Sequence, residues 1–184
     1  LLWVSCKHDT HKAIVEKTTP KALINKAQLT LKANIGLVYY KNEPFTGTSI
    51  QHYQNGVPSE TIDYVNGKKQ GSYKKWFPTG LLSFDSNYID GKQHGNTKMW
   101  WNNGKLRSES NHKHGIVNGT QKQWYITGEK FKELHIVKGK EEGMQRAWRK
   151  NGKLFVNYEA KNGRIFGLKR AGLCYELSNE TFVK

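Results

Sequence analysis

The stretch Gly71–Gly95, GSYKKWFPTGLLSFDSNYIDGKQHG, decides the fold. Its glycines at Gly71, Gly80, Gly91 and Gly95 stand 9, 11 and 4 residues apart, and the same spacings recur on both sides. Upstream they join Gly47, Gly56, Gly67 and Gly71; downstream they join Gly95, Gly104, Gly115 and Gly119, then Gly128, Gly139 and Gly143, then Gly152, Gly163 and Gly167. Five uninterrupted copies of a 24-residue period place the chain among repeat arrays, in which each unit completes its neighbour and none is a domain alone.

Counting each copy from its first Gly as position 0, positions 8 and 9 read Asn55-Gly56, Thr79-Gly80, Asn103-Gly104, Thr127-Gly128 and Asn151-Gly152. A second turn signal follows at Asn66-Gly67, Asp90-Gly91, His114-Gly115, Lys138-Gly139 and Asn162-Gly163. Asn-Gly and Asp-Gly favour two-residue hairpin loops because both residues tolerate positive φ, so each copy is predicted to be a β-hairpin joined to the next by another tight turn. The expected fold class is all-β: tandem hairpins in an elongated, twisted antiparallel sheet.

If positions 8 and 9 form the loop, residues whose positions sum to 17 face each other. Lys74, Lys98, Lys122 and Arg146 then lie opposite Asp85, Glu109, Glu133 and Asn157, three oppositely charged pairs worth roughly 0.2–1 kcal/mol each. The same register pairs Tyr53 with Pro58, Phe77 with Leu82, Trp101 with Leu106 and Tyr125 with Lys130. Ile62, Tyr64, Phe84, Tyr88, Leu134, Ile136, Val156 and Tyr158 share that face, which reads as the structural one.

Composition agrees with thin strand layers: 36% hydrophobic, 12% aromatic and 18 Gly in 184 residues. The net charge of +15 points to an anionic partner or surface, but +4 falls in residues 1–35 and +11 in the rest, too diffuse for a dedicated nucleic-acid groove. Two cysteines, Cys6 and Cys174, cannot make a disulfide framework. The chain opens on Leu1-Leu2-Trp3-Val4-Ser5-Cys6, an apolar run ending in a small residue and Cys before the polar KHDTHK, which resembles the tail of a bacterial lipoprotein signal with Cys6 as the lipidated residue. Residues 7–35 are expected to be a basic tether and N-terminal cap with a short strand near Gln28 to Lys32. Residues 36–167 are the array, opened by a strand at Gly36–Tyr40 and a turn at Asn42-Glu43-Pro44. Residues 168–184, with Leu173–Leu177 as a strand, are a C-terminal cap.

A Gly-punctuated hairpin with an aromatic before Asn-Gly, then Lys-Leu and an acid, is similar to the MORN-repeat variant of bacterial proteins labelled YwqK-family antitoxin components. Trp100-Trp101-Asn102-Asn103-Gly104-Lys105-Leu106, followed by Glu109, is the nearest copy. Arg149 departs from the pattern's aromatic and His112 from its Tyr. The resemblance implies a non-enzymatic scaffold that binds a protein partner, with no cofactor. With Cys6 acylated it would sit lipid-anchored at the bacterial cell envelope. The alternatives are a peripheral binder of anionic membrane surfaces and a cytoplasmic antitoxin component that neutralises a toxin protein.

The sharpest candidate site is a ladder of Trp76, Trp100, Trp124 and Trp148 beside the basic ladder Lys74, Lys98, Lys122 and Arg146, because positions 3 and 5 point to one side of a strand. Stacking surface beside charge suits single-stranded nucleic acid, an anionic interface or an acidic peptide. The same residues also fit a purely structural role, Trp stacking on Trp between repeats and on Phe131 and Phe155 across the hairpin. Neither His112-Lys113-His114 with His94 nor Cys6 with His8 and His11 has a known ligand spacing, so no metal site is predicted. No nucleophile or phosphate-loop motif occurs, so no catalytic residue is assigned.

Overall fold

A computed structural model describes residues 22–168, with the side chain of Leu168 left aside. Cys6, the apolar run before it, Cys174 and the strand expected at Leu173–Leu177 lie outside the described residues. The described chain is all-β. Its strands are β1 (Leu23–Asn25), β2 (Thr30–Lys32), β3 (Leu37–Tyr40), β4 (Glu43–Pro44), β5 (Gly47–His52), β6 (Pro58–Val65), β7 (Lys68–Trp76), β8 (Leu82–Ile89), β9 (Lys92–Trp100), β10 (Leu106–Lys113), β11 (Ile116–Val117), β12 (Gly119–Trp124), β13 (Lys130–Val137), β14 (Lys140–Trp148), β15 (Leu154–Lys161) and β16 (Arg164–Leu168). From β5 to β16 the chain is one antiparallel meander in sequence order, β11 pairing only with β10. β1 adds in parallel beside β5, and β2–β4 form a separate three-stranded sheet.

The second turn of each repeat is the predicted two-residue loop. Asn66 and Gly67 have φ of 49° and 77°, Asp90 and Gly91 50° and 76°, and the flanking pairs are Val65↔Lys68 and Ile89↔Lys92. The first turn is different. Phe77 N–H donates to the Leu81 carbonyl at 2.8 Å, Gly80 N–H donates to the Phe77 carbonyl at 2.9 Å, and only the Gly has positive φ, +85°. This is a three-residue loop, a type I turn closed by a left-handed residue. Thr79 and Thr127 explain the choice, because a β-branched residue resists positive φ. Pro78 suits the second place of a type I turn. Where Asn stands instead, its side chain caps the turn: Asn103 Oδ1 accepts from Lys105 N–H at 3.1 Å and Asn151 Oδ1 from Lys153 N–H at 3.1 Å.

The longer loop corrects the pairing at the hairpin tip. Trp76, not Phe77, faces Leu82, and Trp100, Trp124 and Trp148 likewise face Leu106, Lys130 and Leu154. A bulge at Ser83, and at its counterparts Ser59, Arg107, Phe131 and Phe155, absorbs the slip. Beyond it the expected rungs return, with Lys74 opposite Asp85 and Lys98 opposite Glu109. At the N-terminal end the predicted turn moves by one residue: Lys41 and Asn42 take positive φ of 47° and 68°, while Glu43–Pro44 is strand. The short strand expected from Gln28 begins at Thr30, because Lys26–Gln28 is a single 3₁₀ turn capped by the Asn25 side chain.

The face that carries Ile62, Tyr64, Phe84, Tyr88, Leu134, Ile136, Val156 and Tyr158 is the inner one. Phe45, Ile62, Tyr64 and Tyr73 form its core, with Ile24, Leu29, Val38, Tyr40, Phe84 and Tyr88 packed around them. The core therefore sits at the N-terminal end, where β1, the 3₁₀ turn and the β2–β4 sheet cover the first repeats. Each large apolar side chain fully buried there contributes about 1.5–3 kcal/mol. Further along, the inner rows turn polar. Ser86 and Thr97 hydroxyls bond at 2.7 Å, Thr97 Oγ1 meets His112 Nδ1 at 3.3 Å, and the wholly buried Gln145 bonds both the N–H and the carbonyl of His135. Gln145 thus satisfies backbone groups that the bulge between Leu134 and Ile136 removes from the ladder.

Both rims of the sheet are zipped from repeat to repeat. At the second turns, Gly67, Gly91, Gly115 and Gly139 N–H groups donate to the carbonyls of Phe45, Lys69, Gln93 and Val117. At the first turns, Tyr53 and Tyr125 hydroxyls and Trp101 Nε1 donate to the carbonyls of Trp76, Trp148 and Trp124, at 2.8, 2.9 and 3.2 Å.

Candidate interaction surface

On the outer face the basic ladder is one half of a continuous charge row. Lys74 pairs with Asp85, Asp85 with Lys98, Lys98 with Glu109, Glu109 with Lys122, Lys122 with Glu133, Glu133 with Arg146, and Arg146 with Asn157. Ion pairs close at 3.8 Å for Lys74–Asp85 and 3.5 Å for Lys98–Glu109. A hydrogen bond from Asn96 at 2.8 Å, helped by Lys98 and Lys122, outweighs burial and holds the Glu109 carboxyl below the usual carboxylate range. The sequence supplies each lysine with one partner across its hairpin. The sheet gives Lys98 and Lys122 a second partner from the neighbouring hairpin, Asp85 and Glu109, so the charge is largely compensated along the row.

Trp76, Trp100, Trp124 and Trp148 lie half-buried next to this row. Among the described residues no Trp ring stacks on another Trp, and Phe131 packs on Tyr125, centroids 4.8 Å apart, rather than on Trp124. The reason is geometric: equivalent residues of successive repeats stand two strands apart, roughly 9–10 Å, beyond ring contact. Leu106 fills the interval between Trp100 and Trp124, and with Lys105, Trp124 and Gly128 it lines an open hollow of about 400 Å³.

A second hollow of about 250 Å³ lies towards the inner face near the first-turn rim, lined by Met99, Trp101, Arg107, Ser108, Gln123 and Phe131. Trp124 lines this one too and so joins the two surfaces. The walls are held in place. The Trp101 ring is tied through Nε1 to the Trp124 carbonyl, Phe131 rests on Tyr125, and the Arg107 guanidinium lies 4.6 Å over the Trp101 ring. Sequence reasoning assigned Trp101 and Tyr125 to structure, gave Phe131 only a stacking role against the tryptophans, and overlooked Arg107. The available signal was that Ser59 and Ser83 hold the equivalent places in the first two repeats.

Among the described residues, no group of three or more His, Cys, Asp or Glu could hold a metal ion. His94 and His114 approach with ring centroids 5.4 Å apart, while His112 turns inward to Thr97, where burial lowers its pKa. No family model matches the chain, and no curated protein matches it.

Proposed function

We propose that the chain is a non-enzymatic repeat scaffold of MORN type that binds a protein partner at the bacterial cell envelope, anchored through Cys6. The observation that carries this reading is the charge row beside the tryptophans. Four cations alternate with three carboxylates there, while the four indoles remain only half covered. Lipid headgroups and nucleic-acid backbones reward uncompensated cations. A protein surface instead rewards aromatic area framed by charges of both signs. A genetically placed photo-crosslinker at Trp124 in the full chain should capture a protein, and Trp76→Ala with Trp100→Ala should weaken that capture at constant fold. Cys6→Ser should move the protein out of the membrane fraction. Capture of the same protein by a chain whose Cys6 thiol is free in the cytoplasm would favour the antitoxin alternative.

One observation favours the membrane reading. At the second-turn rim Val65, Ile89, Ile116 and Val137 are 40–52% exposed, each paired with a lysine: Lys68, Lys92, Lys113 and Lys140. Aliphatic tips between ammonium groups suit an anionic bilayer surface. Binding to phosphatidylglycerol vesicles that disappears when these four lysines become Gln would support it.

A further inference from the structure

The repeats share a backbone but not a charge. Residues 53–60 of the first hairpin tip carry a single charge, Glu60, and residues 77–84 carry none. The equivalent stretches 101–108, 125–132 and 149–156 carry Lys105, Arg107, Lys130, Lys132, Arg149, Lys150 and Lys153 against Glu129 alone. The first-turn rim is thus strongly cationic over the last three repeats only. In the same place the bulge residue changes from Ser59 and Ser83 to Arg107, Phe131 and Phe155, and Arg107 and Phe131 help line the hollow beside Trp101.

That hollow, about 250 Å³, is smaller than the 300–1,000 Å³ of pockets that enclose a whole small ligand, so it suits one large side chain. Ser108 and Gln123 in its lining offer hydrogen-bonding groups to a main chain running past. Among the described residues Arg107 has no carboxylate within ion-pair distance, whereas Lys98 and Lys130 have Glu109 and Glu133. A guanidinium held over an indole, beside an aromatic-walled hollow and without a carboxylate of its own, is poised for a carboxylate from outside. An anionic lipid headgroup would meet Arg107 and the lysines but leave the hollow between Trp101 and Phe131 unfilled.

We propose that the first-turn rim of the last three repeats docks an extended acidic segment of a protein partner, one carboxylate on Arg107 and an adjacent aromatic side chain between Trp101 and Phe131. This rests on the reading of the chain as a protein-binding scaffold and specifies the chemistry of what it binds. The probe is a short fluorescein-labelled peptide of alternating Glu and Phe, followed by anisotropy against the full chain. Two control peptides carry Lys in place of Glu, or Ala in place of Phe. The test variant is Arg107→Ser with Phe131→Ser, which installs the residue already present at the equivalent bulges Ser59 and Ser83 and so keeps the fold.

The variant and each control peptide are expected to bind at least about tenfold more weakly, some 1.4 kcal/mol. Lys68→Gln with Lys92→Gln on the opposite rim should leave affinity within about twofold. Equal affinity of variant and wild type would overturn the proposal. So would Arg107-dependent binding of phosphatidylglycerol vesicles or a single-stranded oligonucleotide in preference to the peptide. The broader reading fails separately: Trp124 crosslinking that persists in the double variant removes the docking segment and keeps the scaffold, and loss of any protein crosslink in the wild type removes both.

Discussion

Glu60→Gln is expected to loosen the N-terminal cap while leaving the later repeats intact. The Glu60 carboxylate lies on the inner face, its side chain 9% exposed, and ion-pairs with Lys26 from the 3₁₀ turn and with Lys75 at 3.6 Å; the Tyr73 hydroxyl donates to it at 2.7 Å. Burial alone would raise its pKa, but hydrogen bonds from Lys26 and Tyr73 and the charges of Lys26 and Lys75 together outweigh that and leave it lowered. Breaking a fully buried ion pair costs about 3–5 kcal/mol. Here the lysine side chains are 43% and 47% exposed, and screening reduces the expected loss to about 1–3 kcal/mol. Contacts in a repeat array are mostly to neighbours, so the loss should stay local. The reporter is amide exchange at Thr48, whose N–H donates to the Ala22 carbonyl where β1 joins β5. It should accelerate by roughly 5- to 150-fold, while amides of β14 and β15 keep their rates. The pH dependence has a definite sign. A lowered carboxylate pKa contributes stability above the unfolded value of about 4.3 and loses it as pH falls through the folded value. The difference between wild type and Glu60→Gln should therefore be full at neutral pH, begin to shrink as pH falls below about 4.3, and vanish only in acid below the lowered folded value. Uniform acceleration across the array, or a difference that persists in strong acid, would refute the reasoning.

Gly67→Ala should destabilise by more than about 1 kcal/mol, because φ is +77° and a Cβ would stand 2.8 Å from the Val38 carbonyl; an unchanged melting curve would exclude this packing. Lys138→Asn should stabilise by about 0.5 kcal/mol, since Lys138 has φ of 49° where Asn66 and Asn162 stand in other repeats, and chemical denaturation would read the gain. Lys98→Glu with Glu109→Lys keeps the hairpin pair but sets the new carboxylate beside Asp85 and the new ammonium beside Lys122. A loss of roughly 0.4–2 kcal/mol is expected, and a neutral double variant would mean that the row is not continuous.

The 24-residue period, the all-β class and the two-residue turns at Asn66-Gly67 and Asp90-Gly91 were legible in the chain because they depend on backbone preferences of adjacent residues. The cross-strand rungs of Lys74, Lys98 and Lys122 were legible too, for a hairpin joins them through a short loop. Asn-Gly is compatible with both a two- and a three-residue loop, so the tip pairing was misjudged until hydrogen bonds such as Gly80 to Phe77 distinguished them. The inner face was recognised from its apolar residues, but Ser86, Thr97 and Gln145 share its buried rows, and only the backbone groups they satisfy explain their burial. The candidate site divides in the same way. Tryptophan spacing is a property of the period, whereas the second carboxylate beside Lys98 and Lys122 comes from the adjacent hairpin. The hollow of Trp101, Arg107 and Phe131 is built from two hairpins with a bulge in each, and the Glu60 lock joins residues 34 apart in sequence. Pairings within a hairpin follow from the loop; contacts between hairpins depend on how bulges set the register of one strand against the next, and that is decided only when the whole sheet is assembled.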